Sequence, residues 1–332
     1  LKMSFHHWRN VGQGAKREFV CVRQGYHGET LGALAVTDVP VFRDAYDPLL
    51  MRAHQVASPD DRQAGVGEDA PAVAQRAAAD LEALLAERHA HIAAVIVEPL
   101  VQCAAGMAMH HVSYLQRVRA LCDRYGVHLI ADEIAVGCGR TGSFFACEQA
   151  GIWPDFVCLS KGITGGFLPL SLVLCRDAIY RAFLSDDVAR GFLHSHSYTG
   201  NALACRAALA VLDRFDTHHV LERNAQEAVL LDQALAPLMA YPGVEHPRRR
   251  GMIWAFDVKA ELAQGRFAEA FHLAGRRHEL LIRPIGRTVY LMPPYVLNGD
   301  LSRWLSERLQ ATLHDTLKLP PDADRAPQPS TA

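Results

Sequence analysis

Short apolar runs recur along the first two thirds of the chain, at Phe19–Arg23, Ile92–Val97, Val127–Ala131, Asp155–Leu159 and Leu170–Leu174. Runs of about 4–8 such residues, rich in β-branched side chains and bounded by polar or glycine-rich stretches, read as strands. Between them the apolar residues recur at helical spacing. Leu1–Asn10 reads as a helix, and Glu29–Val36 begins another. Pro71–Arg88 is rich in Ala, Leu and Glu, with Pro71 suited to a first helical turn. Val112–Tyr125 is closed by Gly126, a natural C-cap, and Gly200–Phe215 is a long Ala/Leu helix. Strands that are apolar throughout are buried on both faces. The alternation therefore predicts an α/β domain with a mostly parallel sheet flanked by helices.

The last third changes character. His219–Met239 is helical, while Gly243–Pro247 and Arg248–Arg250 read as a polar turn. Met252–Val258 and Val289–Met292 read as strands, with helices at Phe267–Leu280 and Leu301–Leu317. These elements predict a smaller C-terminal α+β domain. We divide the chain into a large domain over 1–215, a small domain over 216–318 and a tail over 319–332. The Pro, Asp and Ser content of that tail predicts disorder. Asp60–Ala70 reads as a polar surface loop, and no internal repeat is evident.

Composition narrows the function. The 332 residues are 50% hydrophobic and 21% charged, with 34 Lys and Arg against 36 Asp and Glu, for a formal net charge of −2. That balance excludes an extended basic nucleic-acid surface and a polyacidic disordered chain. The apolar runs fall short of the roughly 20 residues that cross a membrane. We expect neither a nucleic-acid nor a membrane partner. The eight cysteines (Cys21, Cys103, Cys122, Cys138, Cys147, Cys158, Cys175 and Cys205) are scattered, with no C-x-x-C pair. A chain with this much core needs no disulfide framework, so they read as reduced, buried thiols and suggest a cytoplasmic protein.

Gly137-Cys138-Gly139-Arg140-Thr141-Gly142 matches G-x-G-x-x-G, but its context argues against a dinucleotide site. The fingerprint needs its first glycine at the end of a strand, opening a helix. Here Asp132-Glu133 end the strand, five residues earlier, and Asp155 precedes the next strand rather than ending it. The glycines instead predict a tight loop near a ligand.

A pair of strand ends is more telling. Val127–Ala131 runs into Asp132, and Asp155–Leu159 runs into Ser160-Lys161-Gly162, with Gly165-Gly166 following. In a parallel sheet the C-terminal ends of the strands share one edge, where ligands bind. Pyridoxal 5′-phosphate (PLP) chemistry needs such a pair. A lysine amine, in a partly desolvated pocket, bonds the aldehyde, and a carboxylate keeps the pyridine nitrogen protonated. Spacing alone leaves open a solvated lysine and an aspartate that merely caps a helix.

Six motifs then occur in order: Tyr26-His27-Gly28-Glu29-Thr30, Val97-Glu98-Pro99, Ala131-Asp132-Glu133-Ile134, Gly139-Arg140-Thr141-Gly142, Ser160-Lys161-Gly162-Ile163-Thr164-Gly165-Gly166 and Gly200-Asn201. The series resembles the class III aminotransferases, PLP enzymes of fold type I, over about residues 1–317. The resemblance implies that Lys161 is the Schiff-base lysine and proton carrier and that Asp132 pairs with the pyridinium. It places Tyr26 over the cofactor ring beside substrate, and Glu98 near the cofactor. His194-Ser195-His196-Ser197-Tyr198 resembles the family's loop donated across a homodimer interface. Ser197 and His196 would then meet the cofactor phosphate, and Ser195 would border substrate. Ile282-Arg283-Pro284 with Tyr290-Leu291-Met292-Pro293-Pro294-Tyr295 is similar to the family members that aminate 8-amino-7-oxononanoate with S-adenosylmethionine in biotin synthesis. That similarity implies these two small molecules as substrates and Arg283 as the residue holding a substrate carboxylate. A class III enzyme using an ω-amino acid or lysine donor is the alternative.

No metal is implied. His194 and His196 could share a strand face, but no Cys or carboxylate stands beside them in sequence. The pairs His6-His7 and His110-His111 read as packing or surface residues.

The chain also departs from the family pattern. Cys103-Ala104-Ala105 replaces a stretch often rich in glycine, Val136 and Cys138 stand where a Thr and an aromatic are frequent, and Ala202 follows Asn201 where Pro is common. Family members carry a Gly-Ser phosphate loop and substrate-wall aromatics upstream of the position of Leu1. The resemblance thus implies an N-terminally incomplete chain, and leaves open a fragment that does not hold the cofactor.

Overall fold

The apolar runs of the first two thirds become strands of one sheet. The computed structural model describes residues 1–318, and the expected disordered tail lies outside them. Two units separate: Leu1–Leu221, and a second that begins at Glu222. In the first unit the strands are β1 (Glu18–Val22), β2 (His54–Val56), β3 (Ile92–Val97), β4 (Val101–Gln102), β5 (Ala108–Met109), β6 (His128–Asp132), β7 (Phe156–Leu159) and β8 (Leu172–Cys175). The helices are α1 (Lys2–Asn10), α2 (Leu31–Ala35), α3 (Pro40–Arg43), α4 (Ala70–Arg88), α5 (Val112–Tyr125), α6 (Asp177–Arg181) and α7 (Ala202–Thr217).

The main sheet has the order β2-β1-β3-β6-β7-β8. Every pairing is parallel except β7 with β8, which is antiparallel. All residues of β3 and β6 are buried, as central strands covered on both faces require. α5 buries Tyr114, Leu115, Val118, Leu121 and Cys122, one face at helical spacing, and ends at Gly126 with φ 59°. α4 opens on Asp69, whose carboxylate accepts from Ala72 N–H, with Pro71 in the first turn. Trp8 of α1 packs with Phe19, Ile96, Ile130 and Phe156, and its indole N–H donates to Ala93 O at 2.8 Å. All eight cysteines are free. The glycine loop after β6 opens no helix, and its Cys138 and Gly139 take φ 53° and 82°.

α8 (Val220–Met239) carries the chain into the second unit, which holds β9 (Val244–Arg250), β10 (Ile253–Val258), α9 (Phe267–Arg277), β11 (Thr288–Leu291) and α10 (Gly299–Lys318). Its sheet has the order β11-β10-β9 and is antiparallel. The expected polar turn over 243–250 is therefore wrong: Val244–Arg250 is a strand. Three features make the polar segment a strand. β10 is apolar and buried throughout, so it offers a strong pairing template. β9 is an edge strand, where Pro247 is tolerated. The Arg248 guanidinium is paired 3.0 Å from the buried Asp257. Phe256, Phe271, Leu231, Leu235, Val289 and Leu309 centre this unit's core.

Candidate active site

Four adjacent parallel strands end together. Val97 of β3 pairs with Ala131 of β6, so Glu98 and Asp132 stand side by side at the next position. Asp132 in turn pairs with Cys158 of β7, and Lys161 follows three residues later. β1 lies on the other side of β3 and runs into the loop that carries Tyr26 and His27. The edge shared by the strand C-termini thus gathers Tyr26, His27, Glu98, Asp132 and Lys161, as ligand sites in such sheets require.

Hydrogen bonds tie most of this group together. Asp132 Oδ2 lies 2.8 Å from His27 Nδ1, with side-chain exposures of 8% and 2%. Its Oδ1 accepts from Ile134 N–H at 3.2 Å. Glu98 accepts from Tyr26 N–H at 3.0 Å and from Cys103 N–H at 3.1 Å. Burial pushes the Glu98 carboxyl up to about 7, opposed by the nearby His27 and the two backbone donors. Tyr26 donates its hydroxyl to Glu29 Oε1 at 2.7 Å and rests its ring 5.3 Å from that of Phe42. Burial, with the Glu29 contact second, raises its phenol to about 12, so it stays protonated.

Lys161 opens a one-turn helix, Lys161–Thr164, with φ 47°. A non-glycine residue in that region stores roughly 1–3 kcal/mol, which the surrounding structure must sustain. Such strain concentrates at functional positions. Gly162 is required beside it, because a Cβ there would lie 2.8 Å from Cys138 Cβ. The expected desolvated pocket for the lysine is not found: Lys161 is exposed. The reason is local, since Gly162, Gly165 and Gly166 have no side chains to cover it and the adjoining Phe167 is 85% exposed. Burial raises the Cys103 thiol most; the charges of Glu98 and Asp132 raise it as well, and those of Lys161 and Arg140 oppose them.

The remaining expected residues are exposed. Ser195, His196 and Ser197 are exposed, and their loop bonds mainly to itself, as in Tyr198 N–H to His196 Nδ1 at 3.1 Å. His194 Nδ1 is 2.9 Å from Lys2 Nζ. Arg283 belongs to the second unit and is exposed between the buried Ile282 and Pro284. Sequence reasoning missed His27. It stood in a quoted motif with no role, and its place directly after Tyr26 was the available signal. Among the described residues no cluster of three or more His, Cys, Asp and Glu is arranged to hold a metal ion. No helix among them is long and apolar enough to cross a membrane.

The donor set fits PLP at its ring and aldehyde ends. The ring nitrogen needs a carboxylate shielded from water, which Asp132 provides, and the aldehyde needs a reachable amine, which Lys161 provides. His27 Nε2 is buried without a hydrogen-bond partner at this same edge.

Comparison with known proteins gives the family. The class III aminotransferase family model matches residues 1–313. The adenosylmethionine-8-amino-7-oxononanoate aminotransferase of Helicobacter pylori is 42% identical over 307 residues, 90% of this chain and 68% of its own. The protein of that name from Geobacter sulfurreducens is 35% identical over 95% of this chain and 71% of its own. An amine transaminase from an uncultivated Pseudomonas species, solved with PLP bound, superposes with a TM-score of 0.88 at 31% identity, covering 94% of this chain and 73% of its own. The Methanocaldococcus jannaschii adenosylmethionine-8-amino-7-oxononanoate aminotransferase superposes with a TM-score of 0.84 at 27% identity, covering 95% and 72%. The chain spans about two thirds of the length of the curated relatives it matches. Its sheet and helices are those of PLP-dependent transaminases of fold type I. The chain is a member of the class III aminotransferase family, whose enzymes are PLP-dependent transaminases.

Proposed function

We propose that this chain carries the catalytic edge of an aminotransferase that moves an amino group from S-adenosylmethionine to 8-amino-7-oxononanoate, giving 7,8-diaminononanoate for biotin synthesis. The observation that carries the transaminase reading is the register of β3, β6 and β7, which brings Glu98, Asp132 and Lys161 to one sheet edge. The substrate reading rests on relatives that bear this activity in their names, at up to 42% identity.

When bound, PLP supplies an aldehyde that takes up the amino group and a ring that draws electrons from the substrate carbon. Lys161 Nζ is the point of attachment, and once displaced it carries the proton to and from that carbon. Asp132 holds a proton on the ring nitrogen. Tyr26 covers the ring, and Glu98 fixes the Tyr26 backbone. Arg283 takes the substrate carboxylate in a charge-assisted contact.

The protein acts as a homodimer in the cytoplasm. Ser197 and His196 reach the cofactor phosphate in the partner's site, where Ser195 borders substrate. The exposed apolar residues Val173 and Leu174 on β8 and Leu203 and Leu209 on α7 support such an interface. A second reading, an ω-amine donor, is favoured by the likeness to the Pseudomonas amine transaminase. Mixing the PLP-loaded protein with each donor separates the two. S-adenosylmethionine should bleach the visible absorbance of the lysine-linked cofactor, and Lys161→Ala should never show that absorbance. Bleaching by an ω-amino acid but not by S-adenosylmethionine would overturn the donor assignment.

A further inference from the structure

We propose that Gln102 is a positioning residue, whose buried amide fixes the exit of β1 and so the placement of the Tyr26 ring. The inference rests on the PLP reading of this edge, in which Tyr26 covers the cofactor, and gives a role to a residue which that reading leaves unused.

β1 and β2 pair as far as Val22 and Val56, and Arg23 N–H still donates to Val56 O at 2.9 Å. Beyond that point the chain turns into the loop that carries Tyr26. Gly25 N–H donates to Val22 O at 3.0 Å, and Gln24 takes φ 63°, a left-handed conformation that persists in a non-glycine residue only when its surroundings hold it. Gln102 of β4 reaches this turn. Its Nε2 donates to Arg23 O at 2.9 Å, and its Oε1 accepts from Ser58 Oγ, just past β2, at 2.6 Å. The Arg23 carbonyl only accepts, so the amide has one orientation that satisfies it, and the Ser58 hydroxyl donates at the other end. Gln102 is 2% exposed and Ser58 4%, so water does not replace either partner when one is lost. The amide thus ties the ends of β1 and β2 to the hairpin of β4 and β5.

A second fastening comes from the same stretch of chain. Glu98, four residues before Gln102, accepts from Tyr26 N–H at 3.0 Å and from Cys103 N–H at 3.1 Å. The turn is therefore held at two points three residues apart, Arg23 O on Gln102 and Tyr26 N–H on Glu98. Gly25 lies between them and leaves the room they need: a Cβ there would sit 2.9 Å from Val22 O and 3.7 Å from Gln102 Nε2. Glu98 alone would hold one end of the turn. Gln102 supplies the other, and the two together set the direction in which the Tyr26 side chain leaves the sheet edge.

The test compares Gln102→Met, which keeps the side chain's length and loses its polar ends, with the milder Ser58→Ala, which frees only the Oε1 end. In the cofactor-free chain, hydrogen exchange at Tyr26 N–H should quicken about tenfold or more in Gln102→Met, and by less in Ser58→Ala. Loaded with PLP, Gln102→Met should still trap the cofactor on Lys161, which follows β7, but the circular dichroism of the bound cofactor should change. Its kcat/KM should fall about tenfold, the scale of a small misplacement beside the reacting groups. In a Tyr26→Ala background the same substitution should cost little more, because the ring it places is gone. Unchanged Tyr26 exchange in both variants would overturn the proposal, as would an undiminished loss of kcat/KM when Tyr26 is already alanine. Failure of the unmodified chain to trap PLP on Lys161 would instead overturn the PLP reading, and the Tyr26 exchange rates would still decide whether Gln102 holds the turn.

Discussion

Asp132 ends a central strand, accepts from two donors and is 6% exposed. Replacing it with Asn keeps the shape and removes the charge. Asp132→Asn should still trap PLP on Lys161 while turnover falls by about 100-fold or more, measured by single-turnover absorbance with the amino donor. Gly162 tests the strain beside the lysine. Gly162→Ala places a methyl 2.8 Å from Cys138 Cβ, so the Lys161 turn must shift, and PLP trapping should weaken. Because Cys138 itself has φ 53°, a glycine there is well tolerated, and adding Cys138→Gly to Gly162→Ala should restore trapping. Unimpaired trapping by Gly162→Ala alone would show that the turn is not tightly held. At this scale the sequence was legible where chemistry is rare: a lysine and an aspartate at strand ends. It was silent on His27, because a histidine signals its role through the partner its ring meets, and that partner is 105 residues away.

The elements are joined by a few buried contacts that fix where the strand ends lie. Arg119 of α5 reaches Asp155, just before β7, at 2.8 Å, and Asp155 also accepts from Leu129 N–H of β6 at 2.8 Å. This pair sets β7, and hence Lys161, against its neighbour. Removing the arginine leaves the buried carboxylate with only Leu129 N–H and the half-exposed Arg176, 3.5 Å away, so Arg119→Ala should destabilise the first unit by about 2 kcal/mol. Chemical denaturation followed by tryptophan fluorescence would measure it, and a loss below about 1 kcal/mol would show the pair to be idle. The long apolar strands and the capped helices α4 and α5 were legible because periodicity and capping act locally. β9 was not, since its polar sequence becomes a strand only through the register that β10 and the Arg248–Asp257 pair impose. β2, β4 and β5 are too short to show a period.

For the molecule as a whole, buried histidines set an acid limit. His128 stacks on Trp8, hydrogen-bonds Ser4 at 2.8 Å and is pushed by burial down to about 3. Burial lowers the neighbouring His7 as well. An unfolded histidine takes its proton near pH 6.5, so between about 6.5 and 3 the unfolded chain binds a proton that folded His128 refuses. Its contribution to stability is therefore full above pH 6.5 and lost as pH falls, by up to about 1.4 kcal/mol per pH unit. His128→Asn should lose less stability than the wild type between pH 6.5 and 4, read from denaturation midpoints, and parallel profiles would contradict the assignment. The α/β class was legible at this scale from the alternation of strands and helices. The meeting of Asp132 and Lys161 at one edge was legible too, from the rule that parallel strands end together; the order β1-β3-β6-β7 was not, because no local pattern encodes it. The central claim is that this order builds one PLP site with Lys161 as its attachment point. The sequence makes that claim easy to test, since its lysines are only Lys2, Lys16, Lys161, Lys259 and Lys318. Borohydride reduction of the PLP-treated protein, followed by peptide mass spectrometry, should find the cofactor on Lys161 and leave the other four unmodified; a cofactor fixed on another lysine, or none on Lys161, would contradict the account.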